Sequence, residues 1–117
     1  MSLYHYSGCS TCKKAIKWLD ARGLAYVRVD LTQDTPTPTR LADLHARSGL
    51  AVRKFLNTSG NSYRNGGFKE RLPQMSDREA YAALAADGML IKRPILDTGS
   101  SVLVGFNEAA WQAALSD

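Results

Sequence analysis

Two cysteines, Cys9 and Cys12, are the side chains best suited to covalent chemistry, and they stand two residues apart in "YHYSGCSTCKKAIKWLDARG". At i and i+3 across a helix start they share one face, close enough for their sulfurs to pair. Cys9 falls just outside the first turn, where unbonded backbone N–H groups and the positive end of the helix dipole favour an anion. Lys13 and Lys14 add positive potential if they lie near that turn. The expectation is a Cys9 thiolate acting as nucleophile. Cys12, one turn in and more enclosed, is then the resolving thiol that attacks the mixed disulfide or adduct formed on Cys9. Gly8, Ser10, Thr11 and Lys13 surround the pair and, with the distant Pro94, are the candidate substrate-binding residues.

Two rival uses weigh less. A zinc site needs two more ligands, and the only histidines are His5, in a predicted strand, and His45, on a predicted helix in the middle of the chain, so no metal is expected. Both histidines read as ordinary strand and helix-surface residues. A buried structural pair of thiols fits less well than a redox pair, because the spacing meets the helix start.

Composition bounds the setting. At 117 residues the chain suits one domain, 1–117, whose core needs no cross-links. The opening "MSLYHYS" has no basic start, and no long apolar run follows, so neither a signal peptide nor a membrane span is expected and the default location is cytoplasmic. In a reducing compartment a Cys-x-x-Cys is more often catalytic, sensing or metal-binding than structural. Fifteen Lys and Arg against eleven Asp and Glu give a net charge of +4, which suits an anionic small molecule, an acidic protein surface or nucleic acid about equally. No direct nucleic-acid contact is expected from the motifs themselves.

The elements that must position the cysteines follow from the pattern. Leu3–Tyr6 is β-prone. From Ser10, the spacing of Cys12, Ala15, Ile16 and Leu19 predicts a helix that Gly23 stops, and "LAYVRVDL", Leu24–Leu31, reads as a second strand. Next comes a polar loop, "TQDTPTPT", and Thr37-Pro38 opens a helix with Leu41 and Leu44 inward and Gly49 as its stop. A short helix "AVRKFL" and an irregular stretch, "NTSGNSYRNGGFKERLPQM", lead to a capping box at Ser76–Glu79, whose helix carries Tyr81, Leu84 and Ala85 and ends at Gly88. "RPIL" and "SVLVGF" flank the turn "DTGS" as an antiparallel hairpin, and Asn107 caps a last helix with Ala110, Trp111 and Leu115 inward. The sum is an α/β chain with a helical insert at about 35–90 between β-α-β and β-β-α units. This order, with Cys-x-x-Cys at the first helix, is the thioredoxin-like arrangement.

Weaker features stay open. Arg93-Pro94 is either a surface arginine before an edge-strand proline, or a cis-proline beside the Cys9 loop with Arg93 turned toward an anion held there. The basic stretch with Tyr63, Arg64, Lys69 and Arg71 reads first as a solvated loop, and Trp18 and Trp111 as packing residues.

"YHYSGCSTCKKAIKWL", "AVRKFLNTSGNSYR", "DGMLIKRPIL" and "VLVGFNEAAW", in that order, resemble the glutaredoxin-like arsenate reductase (ArsC) family and, within it, the Spx/MgsR-like branch. The resemblance spans nearly the whole chain. It implies a thioredoxin-like fold with a helical insert, a nucleophile at Cys9, a cis-proline at Pro94 and an anion-binding arginine at Arg93. Family members that reduce arsenate use two further arginines, at positions held here by Asn57 and Gly105, and have no cysteine at Cys12. Losing two donors, each worth roughly 1.5–3 kcal/mol to a bound oxyanion, ranks disulfides ahead of arsenate as substrate unless Lys13, Arg64 or Lys69 replaces one. The expected function is thiol-disulfide oxidoreduction on a small anionic or thiol substrate, with no bound cofactor and with glutathione, a thioredoxin or a glutaredoxin as electron donor. The alternative is a redox-sensing regulator of the Spx type, whose partner is the RNA polymerase α subunit.

Overall fold

The computed structural model describes residues 1–116. Strand β1 (Ser2–His5), helix α1 (Ser10–Ala21) and strand β2 (Val27–Asp30) form a β-α-β unit with parallel strands. The insert comprises α2 (Pro38–Ser48), a 3-10 turn at Val52–Phe55, the short helices α3 (Asn61–Asn65) and α4 (Phe68–Arg71), a 3-10 turn at Leu72–Gln74, α5 (Asp77–Ala86) and a 3-10 turn at Gly88–Leu90. Strands β3 (Ile95–Asp97) and β4 (Val102–Val104) and helix α6 (Glu108–Leu115) complete the chain. The sheet order is β2-β1-β3-β4, with β3 antiparallel to both neighbours, which makes this a thioredoxin-like α/β fold.

Strand alternation divides the core in two. Leu3 and Leu96 point to one face, where they meet Ala15, Trp18 and Leu19 of α1 and Trp111 of α6. Tyr4, Ile95 and Val102 point to the other, where Leu41 and Leu44 of α2, Phe55 and Leu84 cover them. The insert is therefore not an appendage: it supplies the whole second layer of the core. Its helices start where side chains cap them, Thr37 accepting from the Arg40 N–H and Ser76 forming a reciprocal capping box with Glu79.

Several expectations need correcting. The second strand is shorter than Leu24–Leu31, because Leu24 and Tyr26 pack against the α1/α6 side of the core instead of extending the ladder. The stretch read as irregular holds α3 and α4, whose N-caps are Gly60 and Gly67 with no side-chain cap bond, so the usual start signal is missing. Ala110 is exposed, and the buried position on α6 belongs to Trp111, 1% accessible. His45 is no free surface residue. Its Nδ1 meets the Tyr81 hydroxyl at 2.5 Å, its Nε2 meets the Leu50 carbonyl at 2.8 Å, and its ring edge packs on Phe55.

Gly88 does not stop α5, which ends at Ala86; it is a point of close approach. A Cβ there would lie 2.0 Å from the Leu31 carbonyl oxygen and 3.2 Å from Thr35 Oγ1. Because the obstacle is backbone, the loop after β2 would have to move. Gly88→Ala should cost about 2 kcal/mol, as overpacking does. Urea unfolding checks this, and an unchanged midpoint would refute the contact.

Across the second layer, Asp97 at the end of β3 is 7% exposed and holds two bonds from Arg47 of α2, at 2.7 and 2.9 Å. Arg40, also on α2, lies 3.5 Å from Asp97 and donates to the Tyr4 hydroxyl at 2.9 Å. These polar bonds fix α2 over β1 and β3 in one orientation.

Candidate active site

Cys9 is the N-cap residue of α1, with extended backbone angles (φ −94°, ψ 114°), and its Sγ accepts the Cys12 backbone N–H at 3.1 Å. The sulfur thus does what a serine or aspartate oxygen does at most helix starts, satisfying an orphan donor at the positive end of the helix. The Cys9 N–H donates to the Tyr6 carbonyl at 3.1 Å and the Cys9 carbonyl accepts from Lys13 at 3.2 Å, so the turn is fixed on both sides. Both thiols are free; Cys9 is partly exposed and Cys12 only 1% accessible. Burial pushes the Cys12 thiol up to about 12, reinforced by its hydrogen bond to the Cys9 sulfur and by negative charge there. The Tyr6 backbone and the Arg93 guanidinium pull weakly the other way. The pair is asymmetric: one sulfur open to solvent at a helix start, the other buried and held as a thiol.

The β1–β3 register brings the remaining candidates to the same end of the sheet. Tyr4 pairs with Ile95, so the chain leaving β1 toward Cys9 runs beside the chain entering β3 from Arg93-Pro94. The Arg93–Pro94 peptide is cis, and Pro94 is buried. Arg93 Nη1 donates to the Met89 and Ile91 carbonyls at 3.0 and 3.3 Å, and its guanidinium lies 5.3 Å from the centre of the Tyr6 ring. Two carbonyls thus pin one nitrogen, while Nε and Nη2 have no protein partner among the described residues and can meet an anion.

Gly8 closes the other side. A Cβ at this position would be 2.7 Å from Tyr6 Cε2, so a larger residue would push the Tyr6 ring from its place against the cysteine turn. Ser10, Thr11 and Lys13 are exposed on the first turn of α1 with no side-chain hydrogen bond among the described residues. They are open to a ligand but do not help to build the turn. Tyr6, which touches both Gly8 and Arg93, is a member of this cluster that sequence reasoning missed; an aromatic at the end of a strand carries no signal of its own.

Asn57 and Gly105 are bound up with the fold. The Asn57 N–H donates to the Leu90 carbonyl at 2.7 Å, and its amide group sits over Gly60. Gly105 has φ +76°, donates to the Pro94 carbonyl at 2.8 Å and accepts from Trp111 Nε1 at 3.0 Å. A left-handed φ favours glycine, so a long cationic side chain here would carry a backbone cost. No group of three or more His, Cys, Asp or Glu side chains able to hold a metal occurs among the described residues. No helix among them is long and apolar enough to cross a membrane.

Residues 4–114 match the sequence model of the ArsC family. The Bacillus subtilis protein YusI is 44% identical over 108 residues, covering 92% of each chain. Among solved structures, a putative ArsC family related protein from Bacteroides fragilis superposes with a TM-score of 0.92 at 40% identity, over 96% of this chain and 94% of that one. A possible arsenate reductase from Streptococcus mutans gives 0.89 at 38% identity, over 97% of both chains. More distant relatives include the B. subtilis regulatory protein MgsR, 24% identical over 92% of this chain and 83% of that protein. An arsenate reductase of Neisseria meningitidis is 26% identical over 90% of this chain and 89% of that one.

Proposed function

The chain belongs to the ArsC family, and from that premise we propose that it is a thiol-disulfide oxidoreductase in which Cys9 attacks, Cys12 resolves and Arg93 orients the anionic part of the substrate. The observation that carries this is the Cys9 Sγ capping α1, with Cys12 buried one turn behind it. In the first step the Cys9 thiolate bonds to one sulfur of a substrate disulfide, and the other sulfur leaves with the bond's electron pair and takes a proton from water. Cys12 then gives up its proton, attacks Cys9 Sγ and expels the substrate thiolate. Burial is the main reason that Cys12 holds its proton in the resting enzyme, and the neighbouring Cys9 sulfur adds to it, so Cys12 is the poorer nucleophile of the two and the contribution from Cys9 is relieved once that sulfur is consumed. The resulting Cys9–Cys12 disulfide returns to the dithiol with two electrons from an external thiol such as glutathione, a thioredoxin or a glutaredoxin. With no cationic side chain at Asn57 or Gly105, Arg93 is left as the main oxyanion donor, so disulfides rank ahead of arsenate.

Removal of the resolving thiol tests this. Cys12→Ser protein incubated with glutathione disulfide should accumulate one glutathione per chain, mapped to Cys9 by peptide mass, while the unaltered protein shows the intramolecular disulfide. No adduct on Cys9 would overturn the assignment.

A second function draws support from the relationship to MgsR: the same pair as a redox switch whose output is binding to the RNA polymerase α subunit. Pull-down with that subunit in the oxidised and reduced states decides it, and no binding in either state ends it.

A further inference from the structure

A groove of about 1020 Å³ opens between the 3-10 turn at Val52–Phe55, the segment from α3 to Pro73, and the outer side of β4. Four cations from three segments line it, the adjacent pair Arg53 and Lys54 together with Lys69 and Lys92, and no carboxylate does. All four are exposed, and none forms an ion pair among the described residues, whereas Arg28, Arg40 and Arg47 all do. The apolar part of the lining includes Leu56, Leu72, Pro73 and Val104, with Leu50 39% exposed. Unpaired charges around an apolar floor make a surface that gains from carboxylates and aliphatic side chains together.

One end of this groove adjoins the site already described. Lys92 is the residue before Arg93-Pro94, and Val104 precedes Gly105, whose N–H is bonded to the Pro94 carbonyl. Val104 pairs with Ile95 and Ile95 with Tyr4, so two strand spacings of about 4.8 Å separate this end of the groove from the strand that leads to Cys9, a gap that a few extended residues at about 3.3 Å each can span. Resting on the thiol-disulfide function above, we propose that the groove recognises an acidic, extended polypeptide segment that carries the disulfide attacked by Cys9. Its carboxylates meet the four cations and its alternate aliphatic side chains meet Leu56, Leu72 and Val104.

A small carboxylate or a fatty acid would answer one of the four charges and leave the others unmatched. A single-stranded nucleic acid would need aromatic faces for its bases. The one aromatic lining the groove, Tyr63, has a face stacked on Phe68, with ring centroids 6.3 Å apart and planes at 25°.

The test uses three disulfides: hydroxyethyl disulfide, which is small and neutral, and two short peptides, one alternating Glu and Leu and the other Lys and Leu, each with a central cysteine capped by mercaptoethanol. Cys9 takes the peptide sulfur, mercaptoethanol leaves as the thiol, Cys12 releases the peptide thiol, and added dithiothreitol supplies the two electrons that close the cycle. At low salt, kcat/KM for the acidic peptide should exceed that for the basic one by about 100-fold and converge on it in high salt. Arg53→Glu/Lys54→Glu should cut the acidic-peptide value by about 30-fold and leave hydroxyethyl disulfide turnover unchanged.

An independent arm measures binding. A fluorescein-labelled acidic peptide with serine in place of its cysteine should bind the Cys9→Ser protein at least about 10-fold more tightly than it binds the same protein carrying the two reversals. Equal binding, or stronger competition by laurate or a single-stranded oligonucleotide than by unlabelled peptide, would overturn the polypeptide occupant. Hydroxyethyl disulfide turnover without peptide preference would overturn the groove while sparing the thiol-disulfide function. Failure to turn over any disulfide would instead overturn that function, and the Cys9 step of this proposal with it.

Discussion

Cys9→Ser should abolish disulfide turnover, by a factor of 10³ or more, and with it the one thiol of the folded protein that iodoacetamide modifies at pH 8. The serine hydroxyl is not ionised near neutrality and cannot form a stable bond to a substrate sulfur, so no weakened version of the first step remains. Cys12 cannot substitute for it. That thiol is 1% accessible, and burial, the main reason it holds its proton, is unchanged in the variant, so it stays a shielded thiol at pH 8. The fold should survive the change. Serine is a preferred N-cap residue, and its oxygen can accept the Cys12 N–H as the sulfur does, so the unfolding midpoint should stay within the equivalent of about 0.5 kcal/mol. The contrast between intact stability and lost chemistry separates a reacting group from a capping group. Turnover above a tenth of the original, or alkylation of Cys12 in the variant, would refute the assignment.

The cysteine turn was legible in the sequence because every feature that builds it is local. The spacing of Cys9 and Cys12, the periodicity of Ala15 and Leu19 and the stop at Gly23 all act within one helix, and α1 forms over Ser10–Ala21 as they require. The capping residues Thr37, Ser76 and Asn107 belong to the same class, since each signals through a bond to a neighbour three residues on. The layout of the sheet and insert followed from the order of these elements and from the resemblance to the ArsC family. What stayed hidden depends on residues far apart in sequence. Nothing near Gly88 says that the Leu31 carbonyl will lie against it, and nothing near Tyr6 says that Gly8 and Arg93 will close on its ring. His45 looked like a surface residue because its partner Tyr81 is thirty-six positions away. Of the four cations of the groove, Arg53 and Lys54 fall on a predicted short helix and Lys69 in a stretch that reads as a solvated loop, and only the fold brings them together with Lys92 around one apolar floor.

Asp97 makes another long-range contact, and its replacement should be a costly change in the second layer of the core. Its carboxylate is fifty residues from Arg47, accepts two bonds from that guanidinium, and caps the turn after β3 by accepting the Gly99 N–H at 2.9 Å. The Arg47 bonds hold it at about 2, below the 3.8 of an ordinary aspartate, against the opposing effect of burial. In the unfolded chain the group protonates near 3.8, so between that value and 2 the unfolded state binds more protons, and stability falls as the pH falls. The contribution is fully present above about pH 4 and is lost as the pH drops through about 2. The interval of nearly two units corresponds to roughly 2 kcal/mol. Asp97→Asn removes the charge at every pH and leaves Arg47 only Asp43 as an acidic partner, so at pH 7 it should cost about 3 kcal/mol, a fall of about 10 °C in Tm for a chain of this size. The difference between the two proteins should then shrink as both are acidified toward pH 2, because the wild-type carboxylate is being neutralised there. Subtracting the two proteins removes the parallel contributions of Asp30 and Glu79, which are also held below their ordinary values by local hydrogen bonds. A difference in Tm that stays constant from pH 7 to pH 2.5 would show that Asp97 acts through shape alone. Replacing Asp97 and Arg47 together by aliphatic residues of similar volume should recover much of the loss, since a buried ion pair repays little more than its own desolvation. What the pair adds beyond stability is orientation: it ties α2 to the end of β3 that pairs with Ser2 of β1, and so sets how the insert lies across the sheet.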